Sequence, residues 1–221
     1  MRQFLMIIIS FFYCITLNAQ GAFGVSASAG TSTFHIANYL EYRSFNAGAQ
    51  TWSAAGIFAF QSGVYYTYAF HDSRFSLGGR LLYAYGGSEL FFEYGGMPEE
   101  TYLLTRRRSY LSLPVFVKYR LSEGIYVTSG LLFNYSISHK PHTPFELQLE
   151  QFMSLNNSDL GVDLSFGFSL SQRMSLFVSG QRSILQINKK ANDNYGPSFG
   201  PAFKIYNQVV QVGMQYQLLG R

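Results

Sequence analysis

Apolar and polar residues alternate one for one through much of this chain. Between positions 160 and 170, Leu160, Val162, Leu164, Phe166, Phe168 and Leu170 share one face, and Gly161, Asp163, Ser165, Gly167 and Ser169 share the other. A period of two is what an extended strand needs to send alternate side chains to opposite sides of a sheet. Eight segments carry it, at about 23–34, 54–70, 75–85, 109–121, 125–138, 160–170, 174–187 and 205–218. In the fourth, Leu111, Leu113, Val115, Val117, Tyr119 and Leu121 are predicted to face outward. In the eighth, Val210, Val212, Met214, Tyr216 and Leu218 are predicted to do the same.

The connections alternate in length. Residues 71–74, 122–124 and 171–173 are tight hairpin links, rich in Ser, Gly and charged residues. Between them lie long segments at 35–53, 86–108, 139–157 and 188–204. Three short and four long links, with both chain ends on the short side, predict an all-β fold: an eight-stranded antiparallel transmembrane β-barrel. It is an up-and-down meander with short periplasmic turns and long extracellular loops. Pro114 falls mid-strand, where it removes a ladder hydrogen bond, and predicts a bulge or a local gap.

Composition agrees with this picture. Charged residues make up 13% of the chain and aromatics 18%, against about 25% charged in average soluble chains. Mean hydropathy is nevertheless near neutral, too polar for a bundle of membrane helices. The one long apolar stretch runs from Phe4 to Ile15 behind Arg2, and Leu17-Asn18-Ala19 precedes Gln20. Residues 1–19 are predicted to be a secretory signal peptide, and 20–221 the barrel domain. The apolar core is short for a membrane span, which takes about 20 residues.

The only cysteine, Cys14, leaves with that signal. A disulfide framework, a cysteine nucleophile and a thiolate zinc site are thereby excluded from the mature chain. Removing Arg2 from 16 basic residues leaves 15, against 12 acidic ones. So small and scattered an excess does not imply nucleic acid.

Three stretches carry a family resemblance. Tyr110-Leu111-Ser112-Leu113-Pro114-Val115-Phe116-Val117-Lys118-Tyr119-Arg120 is a strand with a central proline. Ser76-Leu77-Gly78-Gly79-Arg80-Leu81-Leu82-Tyr83 is an earlier strand ending on an aromatic. Positions 159–170 with 175–183 form a late hairpin. Together with the Ala19-Gln20 junction, they resemble the PorT-like outer-membrane β-barrel domain proteins of Bacteroidetes-type bacteria. The resemblance covers most of the mature chain. It implies the barrel fold, the outer membrane of a Gram-negative bacterium and passage through the barrel insertion machinery, and no defined activity. One departure is the end of the last strand, Tyr216-Gln217-Leu218 followed by Leu219-Gly220-Arg221, where such barrels often close on an aromatic.

Candidate chemistry sits in three places. The inward register directs Arg80, Lys118, Arg120, Asp163, Gln211 and Gln215 into a lumen that side chains can fill. A paired polar core is the expected arrangement, with a narrow proton or ion path as the functional alternative. At the top of the fifth strand stand His139, Lys140 and His142, with Glu146 and Glu150 beyond. A base beside a nucleophile would suit a lipid-modifying enzyme, but Pro141 and Pro144 mark a solvated loop. Two histidines without a third ligand do not make a metal site. At the top of the fourth strand, Arg106-Arg107-Arg108 offers guanidinium forks to lipopolysaccharide phosphates, or to Glu99 and Glu100 nearby.

Aromatic and aliphatic residues enrich two loops. Tyr39, Tyr42, Phe45 and Trp52 lie in the first, and Phe145, Leu147, Leu149, Phe152 and Met153 in the third. They suit packing over the barrel mouth or a binding surface. The chain is therefore expected to be a non-catalytic structural or interaction protein that displays surface loops and has no large pore. The expected partners are outer-membrane lipid and lipopolysaccharide, and no cofactor is implied. An accessory role in a secretion or uptake complex and a lipid-modifying enzyme are the alternatives.

Overall fold

The computed structural model describes residues 21–37, 48–70, 73–95, 101–139, 156–185 and 204–220. Its strands run in chain order: β1 (Gly21–Ala37), β2 (Gly48–Ala69), β3 (Phe75–Gly95), β4 (Thr101–Arg120), β5 (Ile125–His139), β6 (Ser158–Ser169), β7 (Met174–Ser183) and β8 (Lys204–Leu219). Each pairs antiparallel with the next, and β1 pairs with β8 from Phe23↔Leu219 to Ala37↔Lys204. The eight strands form a closed meander. Closure satisfies the wall's backbone groups within the wall itself, which is the condition for crossing a bilayer with strands.

The alternation places the apolar set outside. Leu113, Val115 and Val117 on β4, Leu131 and Phe133 on β5, Leu164, Phe166 and Phe168 on β6, and Val210, Val212 and Met214 on β8 are all exposed. The buried set is largely polar and includes Ser112, Thr128, Asp163, Ser165, Gln181 and Gln211. A water-soluble sheet would invert this arrangement. Here the outer face suits lipid and the inner face forms a polar core.

One of the expected loops is largely strand, and the end of another is strand as well. β3 continues ten residues past Tyr85, and β4 begins at Thr101, so most of 86–108 is a paired hairpin from Gly86↔Arg108 to Glu93↔Thr101. β2 begins at Gly48, which brings Trp52 into a strand opposite Phe92. What hides this continuation from a period-two reading is a local break. The β2–β3 register slips between Gly56↔Ser88 and Phe60↔Tyr85, so one extra β2 residue is accommodated. Gly86, Gly87 and Ser88 are all buried in succession. Gly87 has φ of 150°, where a side chain is strained.

Other differences are smaller. β7 stops at Ser183 because Ile184 and Leu185 donate their N–H groups to Leu160 O and leave the ladder. Pro114 keeps its register with Leu132 on β5, while the β3–β4 pairing is interrupted opposite it, between Gly79↔Val115 and Leu82↔Ser112. The predicted gap is therefore present, on one side only and without a register shift. The predicted signal peptide at 1–19 and most of the predicted loops at 139–157 and 188–204 lie outside the described residues.

Candidate functional site: the lumen and its mouths

The lumen is filled from the walls inward. Four inward rings each lie across a glycine directly opposite on the neighbouring strand: Tyr65 across Gly24, Phe116 across Gly78, Tyr126 across Gly167 and Phe177 across Gly213. A Cβ at any of these glycines would run into the ring it faces. Absence of a side chain on one strand thus makes room for a large one from the next.

In the middle layer Arg80 is enclosed. Its guanidinium lies 4.8 Å from the Phe116 ring centroid and 5.1 Å from that of Phe177, so two π faces flank it. Asp163 Oδ2 is 3.9 Å from Arg80 Nη1, with both side chains almost wholly buried. At that distance the pair is held by charge rather than by a short hydrogen bond. Gln181 Nε2 donates to Asp163 Oδ1 at 3.4 Å, and Gln61 Nε2 donates to Gln181 Oε1 at 2.8 Å. Ser28 donates a short hydrogen bond to Gln211 Oε1.

The layer farther from the tight turns is served by hydrogen bonds. Asp159 Oδ2 accepts from Ser183 Oγ at 2.6 Å and from Asn134 Nδ2 at 3.4 Å. Ser183 Oγ accepts from Asn207 N at 3.1 Å. Ser32 Oγ donates to Asn207 Oδ1 at 3.2 Å and accepts from Gly87 N at 3.1 Å, which ties β1 to β8 and to the break in β3. Arg108 Nη2 donates to Asn156 O at 2.7 Å, with its guanidinium 5.2 Å from the Tyr110 ring centroid. A cavity of only about 10 Å³ remains at this level, bordered by Gln61, Tyr110 and Gln181.

The turn-side mouth is different. A half-open cavity of about 850 Å³ is bordered there by Lys118, Arg120, Glu123, Tyr126, Arg173 and Gln217, among others. Lys118 Nζ sits 3.9 Å from the Tyr126 ring centroid, and Tyr126 Oη donates to Ser175 Oγ at 3.2 Å.

The six residues predicted to face the lumen therefore separate. Arg80, Asp163, Gln211 and Gln215 are buried inside. Lys118 is half-buried below them, and Arg120 is exposed at the mouth. The three arginines do not form one rim patch, because β4 runs through them. Arg107 is exposed, Arg108 points into the lumen, and Arg106 pairs through its backbone with Ser88. An outward contact by Arg108 is ruled out by its burial and its bond to Asn156. His139 ends β5 opposite Arg108. Lys140, His142, Glu146, Glu150, Glu99 and Glu100 lie outside the described residues, as do Tyr39, Tyr42, Phe45 and the third-loop cluster. Among the described residues no group of three or more His, Cys, Asp or Glu could hold a metal.

Period-two reading missed Asp159, Asn134, Gln61 and Gln181, which occupy the same inward registers as the predicted set. It also left the interior rings unnamed, although its outward registers on β4 and β5 put Phe116 and Tyr126 on the inner face. Pairing each inward aromatic with an inward glycine across the hairpin is the signal that finds them.

Among solved structures, the chain is similar to the outer membrane protein OprG from Pseudomonas aeruginosa, at 14% identity and a TM-score of 0.47, over 90% of this chain and 98% of that one. It is also similar to Ail, the attachment invasion locus protein of Yersinia pestis, solved in complex with the heparin analogue sucrose octasulfate. That likeness has 14% identity and a TM-score of 0.45, over 90% and 99% of the two chains. Neisserial surface protein A matches at 9% identity and a TM-score of 0.47, over 90% and 99%. No curated protein matches the chain. The outer membrane protein beta-barrel domain family matches residues 15–189, which takes in β1 to β7, and this eight-stranded barrel belongs to that family.

Proposed function

We propose that this protein is a non-catalytic scaffold of the outer membrane, displaying the segments beyond its wall at the cell surface and passing no large solute. The observation that carries this reading is the filled lumen. Rings from β2, β4, β5 and β7 reach inward over facing glycines, and Arg80 is wedged between two of them. A barrel of eight strands has little bore to begin with. The support for display is the wall itself, whose closed ladder is independent of what its connections contain.

Reconstitution into planar bilayers tests the first half. The expected trace is free of large conductance steps, and liposomes carrying the protein should not swell in small sugars. Sustained open steps or rapid swelling would overturn the filled-lumen reading. Lipid mass profiles test the absence of catalysis: a strain carrying H139A and H142A should match its parent, and a changed lipid would establish an enzyme.

A second reading is an accessory subunit of a secretion or uptake complex. It is favoured by the hairpin that runs past the wall, where the β4 segment Thr101–Arg107 pairs with β3 but has no β5 partner among the described residues. A stoichiometric companion retained in mild detergent supports it, and a lone monodisperse barrel removes it. The finer likeness to the PorT-like group of Bacteroidetes-type bacteria belongs with this reading. It rests on the Pro114 strand and the 159–183 hairpin. Export with cleavage before Gln20 predicts a mature N-terminus at that residue, which intact mass would read directly. Exposed Arg107 remains the member of the triplet suited to lipopolysaccharide phosphate, and R107Q should reduce lipopolysaccharide retained through purification.

A further inference from the structure

The turn-side mouth has no part in the display reading, yet it holds a cavity of about 850 Å³ whose charged lining among the described residues is mostly cationic. Lys118, Arg120 and Arg173 border it against a single carboxylate, Glu123. Among the described residues none of these three cations has an ion-pair partner. Arg120 closes β4 and Arg173 lies in the link before β7, so the cations come from separate parts of the rim.

The floor is built rather than incidental. Tyr126 lies across Gly167, where a Cβ would strike the ring, and its hydroxyl is tied to Ser175. The Lys118 ammonium lies 3.9 Å from the centroid of that ring. Lys118 is one inward step above Arg120 on the same strand, and the cations therefore stand at two depths. Ser171 adds a hydroxyl. Its Oγ accepts from Arg173 N at 3.2 Å and Met174 N at 3.1 Å, and the residue borders the cavity. Two guanidinium forks, an ammonium and a hydroxyl suit a compact oxyanion with several acceptor oxygens. A mouth of about 850 Å³ also has room for what such an anion is attached to.

We propose that the turn-side mouth, bordered by Lys118, Arg120 and Arg173, is a binding site for a phosphate-bearing anion. In outer-membrane barrels the short turns face the periplasm, so the site would be loaded from that side. The phosphate could come from a free phosphate ester or from the headgroup of an anionic lipid at the inner leaflet.

Titration calorimetry on the full mature barrel in zwitterionic detergent tests this with two probes, inorganic pyrophosphate and short-chain phosphatidylglycerol. Saturable binding of at least one is expected, weakened tenfold or more in the R120Q/R173Q variant. Both side chains are exposed, so that variant should keep the heat-modifiable gel shift of a folded barrel. K118M, tested separately, should weaken binding comparably. Tighter binding of pyrophosphate would assign a free phosphate, and tighter binding of the lipid a headgroup. Absence of binding by both probes, or binding that is unchanged in folded R120Q/R173Q, would overturn the proposal.

Discussion

The barrel buries two arginine–aspartate sets in two different ways. In the middle layer, Arg80 and Asp163 stand 3.9 Å apart, and two aromatic rings lie against the guanidinium. In the far layer, Asp159 is served by Ser183 and Asn134, and Arg108 by the carbonyl of Asn156. Each Asp159 partner is neutral, and each could be replaced by a group of similar polarity. Arg80 relies on Asp163 as its one ion-pair partner among the described residues, while its Nε, like that of Arg108, has no hydrogen-bond partner. The lesson is that equal burial does not mean equal dependence. A charge compensated by many dipoles loses little when one is removed, whereas a charge compensated by one opposite charge loses nearly everything.

Substitutions can sharpen or break that contrast. D163L should have the largest effect, about 3–5 kcal/mol, because it strands a buried guanidinium. The urea midpoint of the refolded barrel, followed by gel shift, reads this directly. Adding R80M to D163L should recover part of the loss, since the pair is then removed together.

G130A should follow at about 1–3 kcal/mol, through overpacking. Gly130 faces Phe116 on one side and Asp163 on the other, and its Cβ would press on Val115 O and on the Phe116 backbone. G180A is its control, because a Cβ there meets nothing within 4 Å. D159N should cost only about 1 kcal/mol, the scale of a single hydrogen bond, as the amide oxygen can still accept from Ser183. If D159N proved worse than D163L, the distinction between the layers would fall. Replacing residues 90–104 with a tight turn should move the midpoint least, because this hairpin lies past the filled lumen.

The wall was legible in the sequence because lipid on one side and a polar core on the other impose a strict alternation. Val210, Val212 and Met214 illustrate it in β8, each exposed between buried neighbours. Legibility failed where geometry departs from a period of two. At Gly86-Gly87-Ser88 the break looks like a loop, although hydrogen bonding continues through it for seven more residues on β3. Arg108 departs from the expected rim for a related reason, since neighbours on a strand point to opposite faces and Arg107 takes the exposed one. Within the lumen, Arg80 and Asp163 stood out as charges in an inward register. Their aromatic surroundings did not, because a ring is apolar whichever way it faces. Its direction becomes apparent only when the glycine across the hairpin is taken into account.

Each ring and the glycine beneath it belong to the same hairpin: β1–β2, β3–β4, β5–β6 and β7–β8 carry one pair apiece. The interior is accordingly prefabricated in quarters. A hairpin can lay its own filler flat as soon as its two strands zip together, before any seam joins it to the others. The last step of assembly, when β1 meets β8, then brings together surfaces that are already contoured, and closure need not wait on a search through side-chain arrangements at the centre.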